Sequence, residues 1–389
     1  MLDVGNIYIL LGIYFHMKYE VFWKNPDYVE RPPLKKNKTC DFLIVGGGVT
    51  GVSLAYFLKK YGAKDIVLIE KHTIASGATG KAAGSIVLKG ELDLAEIIKK
   101  FGQKKGLLYW KANHEGLRTM KELITREKIR CDFDFEDTIY GGAKRKADTD
   151  VLEEYIVEKD IEKLTELLVG NQLQKEISTP LFKYAILSHH HGISVNPLQF
   201  TQNLSNVAEK LGVEVYEHSP LIHIHKNNAL TPHGEIHFKH IILAIDSDLR
   251  NSKIKKLTST IVVTKRLHKH ELKHIHLLPK KIVWDSKDIY HYLKITGDNR
   301  ILLGYGNKHV HKKHTSIDPH KPHIKRIKLF LQKLFPELHE RIEYAWSGSF
   351  GITESKIPLI EQKGNRISVG GAASQVVCVM AAKHIANSF

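Results

Sequence analysis

Cysteine is scarce in this chain: three in 389 residues. Cys40, Cys131 and Cys378 fall at no metal-ligand spacing and are too few for a disulfide framework. That excludes a disulfide-stapled secreted domain and favours a reducing compartment, so a cytoplasmic location is expected. Long apolar runs are missing as well. The apolar stretch Ile7–Phe15 is far too short for a membrane span, and it has neither a basic flank nor a small-residue cleavage site. Residues 1–36 are therefore read as an N-terminal extension that is neither anchor nor signal, with Met17 as a second candidate start. Negative charge is also in short supply. Against 58 Lys and Arg there are 42 Asp and Glu, which leaves a net charge of +16 with 24 histidines uncounted.

The basic residues gather in Lys35–Lys38, Lys265–Lys281 and Lys308–Lys328. A nucleic-acid partner would want aromatic side chains for stacking, and Lys308–Lys328 has none, so a solvated basic surface is the expectation. The histidine pairs His189/His191, His223/His225 and His274/His276 would each share a strand face. They are scattered and lack nearby Cys or carboxylate partners at ligand spacing, so no metal site is expected. With 42% hydrophobic and 26% charged residues the composition is that of a globular protein, and the length allows two domains or one interleaved body.

The segment Cys40–His72 carries the strongest signal. Phe42–Val45 reads as a buried strand, and Gly46-Gly47-Gly48-Val49-Thr50-Gly51 matches G-x-G-x-x-G. Apolar residues follow at helical spacing up to a stop at Gly62. A second strand, Ile66–Ile69, leads to Glu70, 19 residues after Gly51. Gly46 permits the tight turn, Gly48 lets backbone approach a pyrophosphate, and Gly51 lets helix and strand pack closely. The helix N-terminus faces the phosphates and Glu70 can accept from ribose hydroxyls. After Glu70, Ala75-Ser76-Gly77-Ala78-Thr79-Gly80 and Ala82-Ala83-Gly84-Ser85 form a second small-residue segment that a ligand can approach closely.

Here the chain resembles the FAD-dependent amine and amino-acid oxidoreductases that include D-amino-acid oxidase, glycine oxidase and sarcosine oxidase. Three blocks carry the resemblance: Asp41–Glu70 with the small-residue loop, residues 189–248, and residues 344–386. The resemblance implies FAD as cofactor and an α/β fold: a Rossmann-like FAD-binding domain interleaved with an α+β substrate domain containing an antiparallel sheet. FAD-domain segments are expected at 37–110, 185–250 and 342–389, with the substrate domain at 111–184 and 251–341. The residues it assigns to the cofactor are Gly46, Gly48, Gly51, Glu70, Ala78, Thr79, Ala83, Gly84, Ser85, Leu221 and Ala244. The closing turn adds Gly371, Ala373, Ser374, Gln375 and Val376. Ala373 and Val376 stand where the family has glycines, so the backbone path there is open. Cys378 has no evident basic neighbour, which favours an inert thiol over a thioether to the flavin.

In the middle of the chain, Lys281–Trp284, Ile289–Ile295 and Arg300–Tyr305 read as strands, with Thr296–Asn299 as a turn, whereas 111–178 reads as charged and helix-patterned. The Trp-Asp and Tyr-His-Tyr pattern of Trp284-Asp285 and Tyr290–Tyr292 is similar to the γ-glutamylputrescine oxidoreductase branch. Tyr290, Tyr292 and Lys294 share a strand face; they are candidate substrate contacts, with half-buried sheet aromatics as the plain alternative. Phe350 stands where glycine oxidase-like members carry a carboxylate-gripping Arg, which points to an amine or a longer substrate.

The resemblance implies oxidation of a C–N bond of an amine or amino-acid derivative by hydride transfer to flavin N5, followed by imine hydrolysis. No catalytic side chain is assigned. The electron acceptor is open between oxygen and another carrier. Two alternatives stand beside this reading: a 2-hydroxy-acid or glycerol-phosphate dehydrogenase on the same fold, and a flavin-containing binding subunit docking on RNA or an acidic partner.

Overall fold

The computed structural model describes residues 17–89, 92–142, 145–249, 251–277, 280–286, 290–307, 319, 321–338, 342–372 and 374–389. The run Ile7–Phe15, much of Lys308–Lys328, and Ala373 lie outside these residues.

Two sheets organise the chain. The first is built on Lys38–Val45, which pairs in parallel with Ile66–Ile69 on one side and Gly234–Leu243 on the other. Glu214–Tyr216 and Arg366–Gly370 extend it in parallel, and Leu359–Lys363 closes one edge antiparallel. All four residues of Ile66–Ile69 are buried, as are Leu43, Ile44 and Val45. A parallel sheet covered on both faces requires such continuous apolar runs. The helices Val49–Lys60, Pro197–Lys210 and Gln375–Ala386 place residues in the largest apolar core, which lies against this sheet.

Strand order in the second sheet begins with Ile342–Thr353, Ile254–Thr264, Ile301–Asn307 and His291–Ile295. It continues through Lys281–Asp285, Asp134–Gly141, Tyr184–Ser194 and Ser85–Val87. The pairs are antiparallel except Asp134–Gly141 with Lys281–Asp285. Helix Lys321–Leu334 buries Ile324, Ile327, Phe330, Leu331 and Leu334 in the core of this half.

The stretch 111–178 holds more than helices. Asp134–Gly141 and Thr165–Val169 are strands, and both pair with Tyr184–Ser194. Long-range pairing with an apolar strand overrides their local helical pattern. The long helix Gln103–Arg126 runs past the helix Gln375–Ala386, and Gly116 is the contact point: a Cβ there would meet Val376 and Met380. Tyr184–Ser194 and Ile342–Thr353 fall in segments expected with the FAD domain, yet they are strands of the second sheet. The chain thus crosses between the sheets repeatedly, and the cleft lies where they meet. No helix among the described residues is long and apolar enough to cross a membrane.

Residues 17–37 are fixed to this frame. Lys18 bridges to Tyr344. Trp23 packs with Ala83, Ile261 and Trp346, and Arg31 is paired with Glu209 at 2.6 Å.

Candidate active site

The cleft between the sheets has a volume of about 2030 Å³. That exceeds the range of an ordinary small-molecule pocket, roughly 300–1,000 Å³, and suits a dinucleotide with a substrate beside it.

One end is backbone. Gly46 sits at φ 112°, and a Cβ there would overlap the Ala244 carbonyl. A Cβ on Gly51 would overlap the Gly46 carbonyl oxygen, so this glycine closes helix onto turn rather than facing the cleft. Gly48 differs: it lines the cleft, and the nearest atom to a Cβ there is Thr79 Oγ1 at 3.3 Å. Val49 N, at the N-terminus of the helix, donates to Thr79 Oγ1 at 3.0 Å. Glu70 accepts from Gly47 N at 2.7 Å and from His72 N at 2.9 Å, and so holds the turn while lining the cleft.

The second small-residue segment forms the floor. Gly84 sits at φ 65° against the Val195 carbonyl. Three donors fix the loop by its carbonyls. Trp346 Nε1 reaches Lys81 O at 2.9 Å, Trp23 Nε1 reaches Ala82 O at 2.7 Å, and Lys294 Nζ reaches Gly84 O at 2.9 Å. Ala78, Thr79, Ala83, Gly84 and Ser85 line the cleft, as do Leu221 and Ala244.

At the closing turn, Ser374 and Gln375 line the cleft at the start of the last helix, while Val376 is buried against Gly116 and Gly371 lies behind, donating to Asp246 at 3.0 Å. The Cys378 thiol is pushed up to about 12, burial being the main cause, which disfavours its thiolate.

Two buried polar atoms of this cleft, Ser85 Oγ and Gln375 Oε1, have no protein partner. Buried polar atoms are normally paired. With two helix N-termini, a glycine turn open toward the space and these orphaned oxygens, the residues fit an anionic dinucleotide with a polar ring.

The other end is made of side chains. Strand alternation brings Leu257, Ser259 and Ile261 to the cleft beside Phe350, Gly348 and Trp346 across the ladder. Tyr290 and Tyr292 line it as well, their rings 5.9 Å apart. Tyr292 OH shares a 3.0 Å hydrogen bond with Ser259 Oγ, and its ring occupies the space above Gly304. Lys294 is placed differently from the expected substrate contact: it lies under the loop, bonded to Gly84 O and to Ser194 Oγ at 3.0 Å. Burial lowers its pKa to about 8, against the pull of Glu136, whose own carboxyl burial raises to about 7.

Farther along lies a cluster that motif reading passed over. Lys89 Nζ sits 3.0 Å from Glu154 Oε1 and 3.1 Å from Glu158 Oε2, both glutamates fully buried. Its ammonium is 4.5 Å from the ring centre of Tyr140, which stacks on Trp284 at 5.6 Å. Tyr140 OH donates to Asp93 Oδ2 at 2.6 Å. Behind Glu158, His191 Nδ1 lies 3.7 Å away and its Nε2 is 3.4 Å from Glu162. His189 turns instead to Asp137, because His190 sits at φ 60° and interrupts the alternation. One signal was available: Asp93-Leu94-Ala95-Glu96 is a capping box ahead of an apolar run. It would have found the helix start but not the charges gathered around it.

The sequence profile of a family described as FAD dependent oxidoreductase (DAO) matches residues 41–387. Gamma-glutamylputrescine oxidoreductase of Escherichia coli K12 is 28% identical over 344 residues, covering 85% of this chain and 78% of that protein. Among solved structures, glycine oxidase from Geobacillus kaustophilus superposes with a TM-score of 0.74 at 17% identity, covering 90% of this chain and 94% of that one. L-alpha-glycerophosphate oxidase from Mycoplasma pneumoniae with FAD bound superposes at 0.69 and 16% identity, covering 90% and 95%.

Proposed function

The chain belongs to the family of FAD-dependent oxidoreductases, and on that premise we propose that it oxidises the C–N bond of an amine whose reacting carbon carries no carboxylate. The observation that carries this reading is Phe350. It lines the cleft across the ladder from Leu257, as Tyr290 and Tyr292 line the same cleft, and no arginine lines it among the described residues. A carboxylate brought to this wall would be desolvated without a bidentate partner, whereas an alkyl chain loses nothing by burial there.

Bound FAD supplies the two-electron acceptor for such chemistry. The turn at Gly46 and Gly48 with Thr79 would hold its pyrophosphate, Glu70 its ribose, and Ser374 and Gln375 its ring edge. The protein's own tasks are to orient the reacting C–H bond, exclude water and take up the amine's proton. Anaerobic bleaching of the flavin absorbance tests the reading. Primary amines should bleach it, and glycine and D-alanine should do so about a hundredfold more slowly, as loss of a charged anchor implies. Comparable rates with glycine would overturn it.

A second reading draws on Lys81, which lines the cleft and whose ordinary pKa is lowered by burial and by the neighbouring cations Lys256 and Lys71. An anionic substrate would relieve that repulsion. Bleaching by lactate or glycerol 3-phosphate, with amines inert, would favour this alternative.

A further inference from the structure

We propose that Asp93 accepts the proton of the substrate ammonium, and that the buried Lys89–Glu154–Glu158 cluster is the device that sets its readiness to do so. The inference rests on the amine reading and adds the catalytic group that reading lacks.

An amine reaches the cleft mostly as an ammonium and must lose a proton before its carbon can give up hydride. The N–H bond breaks, its electron pair stays on nitrogen, and the proton needs a base inside the cleft. Most cleft carboxylates are committed or exposed. Glu70 holds two backbone N–H groups of the turn, Asp246 holds Gly351 N and Gly371 N, and Asp285 holds the backbone and ring nitrogens of His291. Glu96, Asp150, Glu153 and Glu354 are exposed. Asp93 is half-buried on the cleft wall, with the phenol of Tyr140 on Oδ2 and, as a helix N-cap, a capping contact from the Glu96 backbone N–H. A carboxyl oxygen has two acceptor sites, so one proton can be taken up while both contacts are kept.

The surroundings of Asp93 come from three segments. Lys89 lies on its own stretch and favours the carboxylate. Tyr140, from the strand Asp134–Gly141, does the same by its hydrogen bond. Glu154, from the helix Arg145–Lys159, and Glu96 disfavour it by like charge. Glu154 is held in place by Leu94 N at 3.0 Å, Ala95 N at 2.7 Å and Lys89, so its charge cannot swing away. Burial is the largest influence, and the carboxyl is raised to about 7. A base that titrates near the working pH can both take a proton and release it.

The test uses the FAD-loaded protein and a primary amine that bleaches it, with anaerobic flavin reduction followed by stopped flow across pH. The wild type should show a limb near pH 7 below which the rate falls. Asp93→Asn keeps a good helix N-cap and should lose both the limb and about a hundredfold in rate. Tyr140→Phe removes a donor to the carboxylate and should move the limb up by roughly one pH unit; Glu154→Gln removes a like charge and should move it down by a similar amount. Should Glu154→Gln fail to fold, Tyr140→Phe alone decides the direction. A limb that survives in Asp93→Asn, or that Tyr140→Phe leaves in place, overturns the inference while the amine reading stands. If no amine reduces the wild-type flavin, both fall. The protonated-carboxyl infrared band lost through pH 7 should be smaller in Asp93→Asn than in the wild type, Glu136 supplying the remainder, which reads the titration without any substrate; an equal band in the two proteins overturns the inference by itself.

Discussion

At Gly46–Gly51 the cleft wall is main chain: two N–H groups are held by Glu70 and Thr79, and glycines stand wherever a Cβ would strike a carbonyl. At Lys89–Asp93 the wall is side chain. An ammonium lies between two fully buried carboxylates and against an aromatic pair. In the proposed function the first end would hold the cofactor by shape and backbone dipoles, which tolerate no change of conformation but carry little charge. The second concentrates charge in low dielectric, where each group depends on the others being present. The same cavity therefore has one end that fails sterically and one that fails electrostatically.

The sharpest break is within the turn itself. Gly51→Ala pushes a methyl into the Gly46 carbonyl, so the turn and helix must separate. A loss of about 3 kcal/mol or more is expected, with FAD lost as a consequence. Gly48→Ala asks much less of the protein: Thr79 Oγ1, at 3.3 Å from the new methyl, must give by a few tenths of an ångström. Its apo-form should melt near the wild type while FAD affinity falls roughly a hundredfold, because the methyl takes space the pyrophosphate needs. Calorimetry of the apo-forms and fluorescence titration with FAD separate the two. If both variants behave alike, the division between closing glycine and cradle glycine is wrong.

At the other end, Lys89→Met leaves Glu154 and Glu158 buried without their cation. Removing one partner of a buried ion group costs about 3–5 kcal/mol at neutral pH. The pH dependence identifies the cause. In the wild type the Lys89 and His191 charges overcome burial and hold Glu158 at about 2, below its ordinary 4.5. That stabilisation is present above pH 4.5 and is lost as pH falls toward 2. In Lys89→Met the sign reverses: acid protonates the stranded Glu158, so the deficit should shrink between pH 7 and 4.5. Denaturant melts at the two pH values check it; an unchanged deficit would mean lost packing alone.

The same contrast explains what the amino-acid sequence made legible. Backbone conformation leaves a local trace, since glycine is placed where nothing else fits, and the turn, loop and first helix could be read directly. Tyr292 was legible as a position because strand alternation fixes its face, with Tyr290 just ahead of the strand, whereas Phe350 was legible only through the family resemblance. The Lys89 cluster was not, because its members come from residues 89–93, 140, 154–158, 191 and 284, and no spacing connects them. Lys294 illustrates the limit from the other side. Its face was right, but alternation cannot say whether that face meets substrate or the Gly84 carbonyl, and here it meets the carbonyl. The strands Asp134–Gly141 and Thr165–Val169 were missed for a related reason: partners far along the chain decide them, not their own periodicity.

A smaller effect is expected from giving the apolar wall a charge. Phe350→Arg sets a guanidinium opposite Leu257 at the cleft. Glycine should then reduce the flavin at least about tenfold faster than it does in the wild type, since a bidentate carboxylate contact is worth more than 1.4 kcal/mol. Amines should slow, as a cation is placed beside their ammonium. The ratio of the two rates is the quantity to follow, because it is insensitive to the fraction of protein loaded with FAD. No change in that ratio would detach Phe350 from substrate choice.

The smallest change probes the hinge between the two kinds of wall. Tyr292 has its ring over Gly304, as a shape contact, and its hydroxyl on Ser259, as a polar one. Tyr292→Phe keeps the first and removes the second. Because the hydroxyl already has a protein partner, its loss should appear in stability as well as rate, about 0.5–1.5 kcal/mol, the net worth of a neutral hydrogen bond. If the hydroxyl also positions substrate, flavin reduction slows by about two- to tenfold while FAD content holds. Ser259→Ala removes the same bond from the other side, together with the 3.0 Å bond from Ser259 Oγ to the Tyr305 carbonyl, and leaves the phenol itself in place. A rate loss in Tyr292→Phe but not in Ser259→Ala assigns the hydroxyl to the substrate; equal losses assign the pair to bracing the sheet. Stopped-flow reduction by one amine, run on both variants, decides between them without knowledge of the electron acceptor.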